Sequence, residues 1–332
     1  MTPVYEVKNV TKVFPVKQNF FEILARKKPK MVCAVENVTF AVNKGETLAL
    51  VGESGCGKST LAKTMALLYE PDGGSLVFEG QDLKEKENKK NMRFQLQMIF
   101  QDPQSSLNPA MTIRQMFYEI LNVHHLCKAS EREKETLRLL GYVGLGEESL
   151  DRKPSQFSGG QRQRINIARA LAMKPAFLIA DEPLSALDVS IQAQIVNLLL
   201  DLKERLSLTM LFISHDIRMV RYMADRVAVM YLGGLIEIGP TEPLYAHPAH
   251  PYTDILIKAA PVVNPDYRSR EYAIKGEIPS PIDLPAGCRF APRCPLAQED
   301  CHASCPPLVE IAPGRQVACF HPLIQGDSGE AE

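Results

Sequence analysis

Residues 52–60 read GESGCGKST and fit the pattern G-x-x-x-x-G-K-[ST]. In such a loop the glycines let successive backbone N–H groups curl round phosphate oxygens, the lysine neutralises the outer phosphates, and the following hydroxyl ligates magnesium. Gly52, Glu53, Ser54, Gly55, Cys56, Gly57, Lys58, Ser59 and Thr60 are therefore the expected contacts of a nucleoside triphosphate, with Ser59 in the magnesium shell. A hundred residues later, FSGGQ (157–161) opens the helical run QRQRINIARALA. Ser158, Gly159, Gly160 and Gln161 then head a helix whose free N–H groups and positive dipole end also favour an anion. One nucleotide does not readily need both motifs at once, so the pair points to an ATPase that works as a dimer.

Other side chains suited to this chemistry stand at the ends of apolar runs. In FLIADEP (177–183) four apolar residues lead to Asp181 and Glu182, at the carboxyl edge of a buried strand, where sites in such sheets lie. Asp181 suits a metal shell, and Glu182 suits the orientation and deprotonation of an attacking water. Structural pairing of these acids with buried bases is the plainer alternative. His215 follows TMLFIS, again at a strand end, where a satisfied structural histidine is the ordinary reading; Gln101 stands in IFQDP and Asp188 closes SALD.

The elements that must position these residues are legible from apolar patterning. TLALV (47–51) is a strand running into the phosphate loop, and LAKTMALLY continues as a helix up to the turn PDGG at 71–74. FLIA (177–180), TMLFI (209–213) and RVAVMY (226–231) are near-continuous apolar stretches of the kind expected for parallel strands buried on both faces. Ile191, Ile195, Leu198, Leu199, Leu202 and Leu206 recur at helical spacing and form the crossover between the first two. The fold class is α/β with a mostly parallel sheet. Residues 102–157 break the rhythm and read as a helical insertion, KEKENKKNMR (84–93) as a solvated charged turn, and 17–34, with Phe20, Phe21, Ile23 and Leu24 before a basic run, as a surface hairpin or a contact with a partner or lipid headgroups. The tail after Pro322 reads as disordered.

At 332 residues the chain has room for a core of about 250 residues and an appendage. Its 38 basic and 39 acidic residues nearly cancel, which gives no electrostatic case for a nucleic-acid binder. No apolar run reaches the roughly 20 residues of a membrane span, so the expected location is cytosolic, with any membrane role exercised by docking onto other subunits. Five of the eight cysteines fall in the last 45 residues. Cys288, Cys294, Cys301 and Cys319 are spaced C-x5-C-x6-C-x17-C, in loops that allow four thiolates to converge on zinc or an iron–sulfur cluster. The paired C-x2–4-C hooks common at zinc sites are absent, and disulfides are not expected in a reducing cytosol. Cys305 is an alternative to Cys301 as a ligand.

Taken in order, these motifs resemble the ATP-binding-cassette (ABC) family of P-loop ATPases, whose members sandwich ATP between the first motif of one subunit and the second of its partner. The resemblance covers about residues 4–245 and implies a nucleotide-binding domain over 1–245, with a β-rich edge and a helical subdomain at about 102–157. It further implies that Gln101 meets metal and water, that His215 touches the terminal phosphate, that Asp188 crosses the dimer interface, and that Phe14, or else Phe20, Phe21 or Val32, stacks on adenine. Residues 246–332, through HPAHPYT (247–253), GEIPSP (276–281) and GCRFAPRCP (287–295), resemble the ATP-binding subunits of oligopeptide, dipeptide and nickel importers. That likeness implies a [4Fe–4S] cluster on the cysteines, with zinc as the alternative. It also implies a peripheral position at the cytoplasmic face of the membrane, a second related ATPase subunit, two transmembrane permease subunits and an extracellular or periplasmic substrate-binding protein. Di- and oligopeptides are the first cargo to expect, with nickel or oligosaccharides behind. From other classes, a soluble cassette ATPase of DNA repair or translation and a redox protein with an accessory ATPase remain as alternatives.

Overall fold

A computed structural model of the chain describes residues 2–18, 24, 29–185, 187–259 and 279–324. Phe20, Phe21 and Ile23, residues 276–278 of GEIPSP, and the tail from 325 onward lie outside the described residues.

The chain opens with two long strands, β1 (Pro3–Pro15) and β2 (Met31–Asn43), which pair antiparallel. It then enters the core as β3 (Thr47–Val51), passes the phosphate loop into helix α1 (Lys58–Met65), and returns through β4 (Gly73–Phe78) and β5 (Gln81–Asp82). Helix α2 (Lys86–Gln95) and β6 (Leu96–Ile99) follow. The charged stretch 84–93, expected to be a solvated turn, is thus mostly helical. Met92 is the buried residue of α2, and Lys89 reaches back to Glu70 at 3.1 Å. A single apolar anchor suffices to dock the helix while its lysines stay in water.

The helical insertion holds α3 (Pro103–Ser106), α4 (Ile113–Val123) and α5 (Arg132–Tyr142) and leads into α6 (Gly159–Leu171). Thr112 begins α4 through a capping box with Gln115, which satisfies N–H groups that the first turn leaves unpaired. The chain then runs through β7 (Phe177–Asp181), α7 (Val189–Leu206), β8 (Thr209–Ile213), α8 (Ile217–Met223), β9 (Arg226–Tyr231) and β10 (Gly234–Pro240). Beyond these come α9 (Thr241–Ala246), α10 (Pro251–Ala259), α11 (Glu299–Ala303), β11 (Val309–Ala312) and β12 (Arg315–Val317).

Two sheets result, one of order β2-β1-β4-β5 and one of order β11-β12-β10-β9-β3-β8-β7-β6. In the larger, β9, β3, β8, β7 and β6 run parallel, while β10, β12 and β11 add an antiparallel edge. The C-terminal residues therefore extend the same sheet that carries the phosphate loop. Leu48 and Leu50 of β3 face one core with the antiparallel sheet and α1, whereas Ala49 and Val51 face the other with α6 and α7. Both faces being covered explains why this strand reads as an unbroken apolar run. Each fully buried leucine there contributes about 2 kcal/mol.

Candidate functional site

The loop between β3 and α1 turns on two glycines, Gly52 and Gly57, that no other residue replaces without a collision. A Cβ on Gly52 would lie 2.2 Å from the Met230 carbonyl oxygen and one on Gly57 2.1 Å from that of Ala34, and both have positive φ, 151° and 105°. Lys58 is buried, and its ammonium donates to the carbonyl oxygens of Gly52 at 2.8 Å and Glu53 at 3.0 Å. Ser59 donates its hydroxyl to Asp181 Oδ1 at 2.8 Å, joining the start of α1 to the end of β7. Burial pushes the Asp181 carboxyl above its ordinary range, against the hydrogen bond from Ser59.

Glu182 follows directly and sits in the left-handed region, φ 45°, with its N–H on the Ile213 carbonyl of β8. For a non-glycine residue that conformation is held by its surroundings, and such positions cluster at functional sites. Its Oε2 accepts from Gln101 Nε2 at 2.9 Å and lies 3.6 Å from His215 Nδ1. Three side chains from the ends of β6, β7 and β8 thus meet on one carboxylate oxygen, beside the Ser59–Asp181 pair.

Ser158 caps α6, its oxygen accepting from Gln161 N–H at 3.3 Å while Gln161 Oε1 accepts from Ser158 N–H at 3.0 Å. Gly159 and Gly160 lie against the start of α7, and a Cβ on Gly160 would come 2.5 Å from Ile191 Cγ2. Asp188, exposed, precedes α7. Among the described residues no hydrogen bond or ion pair joins Ser158–Gln161 or Asp188 to Gly52–Thr60. The two phosphate motifs are each complete locally and separate within one chain. Phe14, half-buried at the end of β1 opposite Val32, packs edge-on against Tyr69 at 5.3 Å with the Lys12 ammonium 5.3 Å from its ring.

Comparisons with known proteins show the family. Residues 35–185 match the ABC transporter family and residues 236–301 match the oligopeptide/dipeptide transporter C-terminal region. The oligopeptide transport ATP-binding protein AppF of Bacillus subtilis is 47% identical over 95% of this chain and 96% of its own length. The dipeptide transport ATP-binding protein DppF of Haemophilus influenzae is 44% identical over 96% and 97%. The chain belongs to the ATP-binding subunits of the oligopeptide/dipeptide ABC transporter family. Among solved structures, the cassette MJ0796 in a dimeric post-hydrolysis state bound to ADP and Pi is 28% identical, with a TM-score of 0.61 over 72% of this chain and 99% of that one. This ABC subunit accordingly binds ATP and is an ATPase of a peptide transporter. None of its described helices is long and apolar enough to cross a membrane.

The C-terminal region of this ABC subunit brings Cys288, Cys294, Cys301 and Cys319 to the wall of one cavity, which Phe290, Ala291 and Leu296 make apolar. Cys305 is exposed and is not part of that wall. No disulfide forms among the eight cysteines. Backbone N–H groups of Phe290 and Ala291 are directed at the Cys288 sulfur, that of Leu296 at Cys294 and that of His321 at Cys319. Burial nonetheless pushes these thiols up, Cys319 to about 11, and each of the other three thiolates would repel a charge on Cys319. Sulfurs supplied with N–H donors but held in an apolar pocket are suited to a bound cationic centre. Cys301 also lies within 4.8 Å of Asp300 and His321 ligand atoms, but these two pair with each other at 2.9 Å.

His250 lines the same cavity and is fully buried. Its Nδ1 accepts from Tyr252 N–H at 3.0 Å, which assigns the ring proton to Nε2, and Nε2 has no partner among the described residues. Burial holds this imidazole neutral, with its pKa lowered to about 3. An orphaned buried donor in a wall of thiols fits a sulfur-rich guest that accepts a hydrogen bond. Sequence reading gave HPAHPYT no chemistry; its one usable signal was two histidines and a tyrosine in a short Pro-bounded segment. Nor did it find Arg293, which reaches the Glu53 carboxylate of the phosphate loop.

Proposed function

We propose that the chain is the motor of a di- and oligopeptide importer, closing on ATP against a second, related ATPase subunit and reopening on hydrolysis. The meeting of Gln101, Glu182 and His215 on one carboxylate oxygen, next to Ser59 and Asp181, carries this reading. Lys58 exchanges its two loop carbonyls for the outer phosphates, a swap of hydrogen-bond acceptors within reach of one flexible side chain. Magnesium, when bound, neutralises those phosphates, with Ser59, Gln101 and Asp181 as its protein ligands. Glu182 takes the proton of the attacking water, with Gln101 and His215 orienting its carboxylate; Gln101 also meets metal and water, and His215 the terminal phosphate. Ser158, Gly159, Gly160 and Gln161 hold the nucleotide seated in the partner, with Asp188 at the shared interface, because each chain keeps its two phosphate motifs apart. Phe14 offers its half-buried ring to adenine.

Closure draws on differential affinity, since ATP shifts the balance only by binding the closed pair better. Gln101 and the helical insertion relay it to two transmembrane permease subunits, which receive peptide from an extracellular or periplasmic binding protein. The chain thus lies peripherally at the cytoplasmic face. The names of AppF and DppF support peptide cargo over nickel or sugars.

Cys288, Cys294, Cys301 and Cys319 hold a [4Fe–4S] cluster in this reading, and His250 Nε2 donates to it. When bound, the cluster supplies four iron–sulfur bonds that staple the C-terminal loops. Zinc is the alternative. Its bonds of about 2.3 Å would draw four sulfurs to within roughly 4 Å of one another, whereas the compact group here is Asp300, Cys301 and His321.

Glu182→Gln tests the motor. The variant retains MgATP binding, loses about a hundredfold or more of turnover, and accumulates as a closed pair with the second ATPase subunit in size-exclusion chromatography. Full turnover by the variant refutes the assignment.

A further inference from the structure

Glu53 is an acid inside a loop built to receive polyanions, and a carboxylate there opposes phosphate binding unless its charge is cancelled. Both of its oxygens are engaged. Arg293 donates from Nη1 to Oε2 at 2.7 Å and from Nη2 to Oε1 at 3.2 Å, across 240 residues of chain. The guanidinium is 5% exposed, also donates to the Tyr231 hydroxyl at 3.1 Å, and lies 5.8 Å from the centre of that ring. On its backbone side Glu53 donates its N–H to the Tyr252 hydroxyl at 2.9 Å. Its carbonyl oxygen meanwhile accepts from Lys58. A residue of the phosphate loop is therefore held from two directions by the C-terminal region. One hold comes from the cysteine-bearing loop and one from the segment that follows His250.

We propose that Arg293 is a positioning residue for ATP binding: it neutralises Glu53 and, with Tyr252, fixes the first turn of the phosphate loop in a form open to polyphosphate. A bidentate guanidinium–carboxylate pair sets orientation as well as charge, and a point-charge lysine reproduces only the second. The C-terminal region then serves the nucleotide directly and does not merely append a staple. This rests on the reading that residues 52–60 hold the phosphates, and it does not depend on what the cysteines bind.

The test is a double-mutant cycle in the full chain, reading Kd for MgATP, for MgADP and for adenosine by calorimetry. Arg293→Gln weakens MgATP about tenfold or more, MgADP less, and adenosine little, because the uncancelled charge acts on phosphates. In a Glu53→Gln background the same substitution changes MgATP by less than about threefold, and Arg293→Lys recovers part of the loss. Equal losses in both backgrounds, or equal losses for ATP and adenosine, overturn the proposal. Where Arg293→Gln alone does not fold, the Glu53→Gln/Arg293→Gln double variant is compared with Glu53→Gln. MgATP binding by the double variant within about threefold of the Glu53→Gln variant supports the proposal, and a loss of about tenfold relative to that variant overturns it. Failure of the unmodified chain to bind MgATP would instead strike at the phosphate-loop reading.

Discussion

Replacing Glu237 by alanine should unfasten the C-terminal region from the sheet. Glu237 is fully buried in β10, and its Oε1 accepts from Arg315 Nη2 at 2.9 Å and from Ala249 N–H at 3.0 Å, while Oε2 accepts from His250 N–H at 2.9 Å. Removing the carboxylate leaves a guanidinium 6% exposed without its counter-charge, a loss of about 3–5 kcal/mol. Two backbone donors lose their acceptor as well, at roughly 1–3 kcal/mol each if they stay dry. Arg315 keeps the carbonyl oxygens of Pro243 and His247, and the freed N–H groups can relax toward water. The expected net cost is therefore about 5 kcal/mol, comparable with the whole stability of a small domain. Glu237→Gln, which keeps an acceptor, should lose about half as much. Urea unfolding followed by tyrosine near-UV circular dichroism, together with amide exchange at Ala249 and His250, measures both. A loss below about 1 kcal/mol for the alanine variant, or protection unchanged at those two amides, would refute the reasoning.

Cys301→Ser should abolish the visible absorbance and iron content of anaerobically purified protein while Cys305→Ser leaves both intact, because only the former sulfur faces the cavity. Zinc without iron in the unmodified chain would replace the cluster reading. Asp181→Asn should remove magnesium-dependent hydrolysis yet raise the melting temperature of the nucleotide-free protein at neutral pH. Burial raises the folded-state pKa of Asp181, so its stabilising share exists below the unfolded pKa and fades as pH rises through the folded one. The gain in Tm should accordingly shrink on acidification through that range, and a gain independent of pH would count against it. His250→Gln, which retains a donor, should shift the reduction potential of the bound centre less than His250→Phe; equal shifts would remove Nε2 from the account.

The meeting of Gln101, Glu182 and His215 beside Ser59 and Asp181 is legible in the sequence because its parts are local. Asp181 and Glu182 end a run of apolar residues, Ser59 follows the lysine of its loop, and His215 and Gln101 stand at strand ends, so sequence order alone places them on one edge of a parallel sheet. The charged stretch 84–93 reads as a turn although most of it is α2, because Met92 is its one buried side chain, a signal too small to outweigh the seven charges around it. Tyr252 and Arg293 escaped for another reason. Their partner Glu53 is 199 and 240 residues away, and nothing in a local pattern reveals which distant acid a buried arginine will meet. The proposed sharing of nucleotide between two chains is foreshadowed in the sequence only as two motifs, which no hydrogen bond or ion pair connects among the described residues.

Gly160 of α6 touches Ile191 of α7 so closely that a methyl group at 160 would overlap the isoleucine. With only a hydrogen atom as spacer, neither helix start can slide along or roll over the other without steric resistance. A push on the serine-capped end therefore meets Ile191, in the first turn of the helix that Asp188 precedes, and a bulky residue at 160 would press on that helix start. Alanine at this position should separate the two helix starts with no change in charge, hydrogen bonding or nucleotide chemistry.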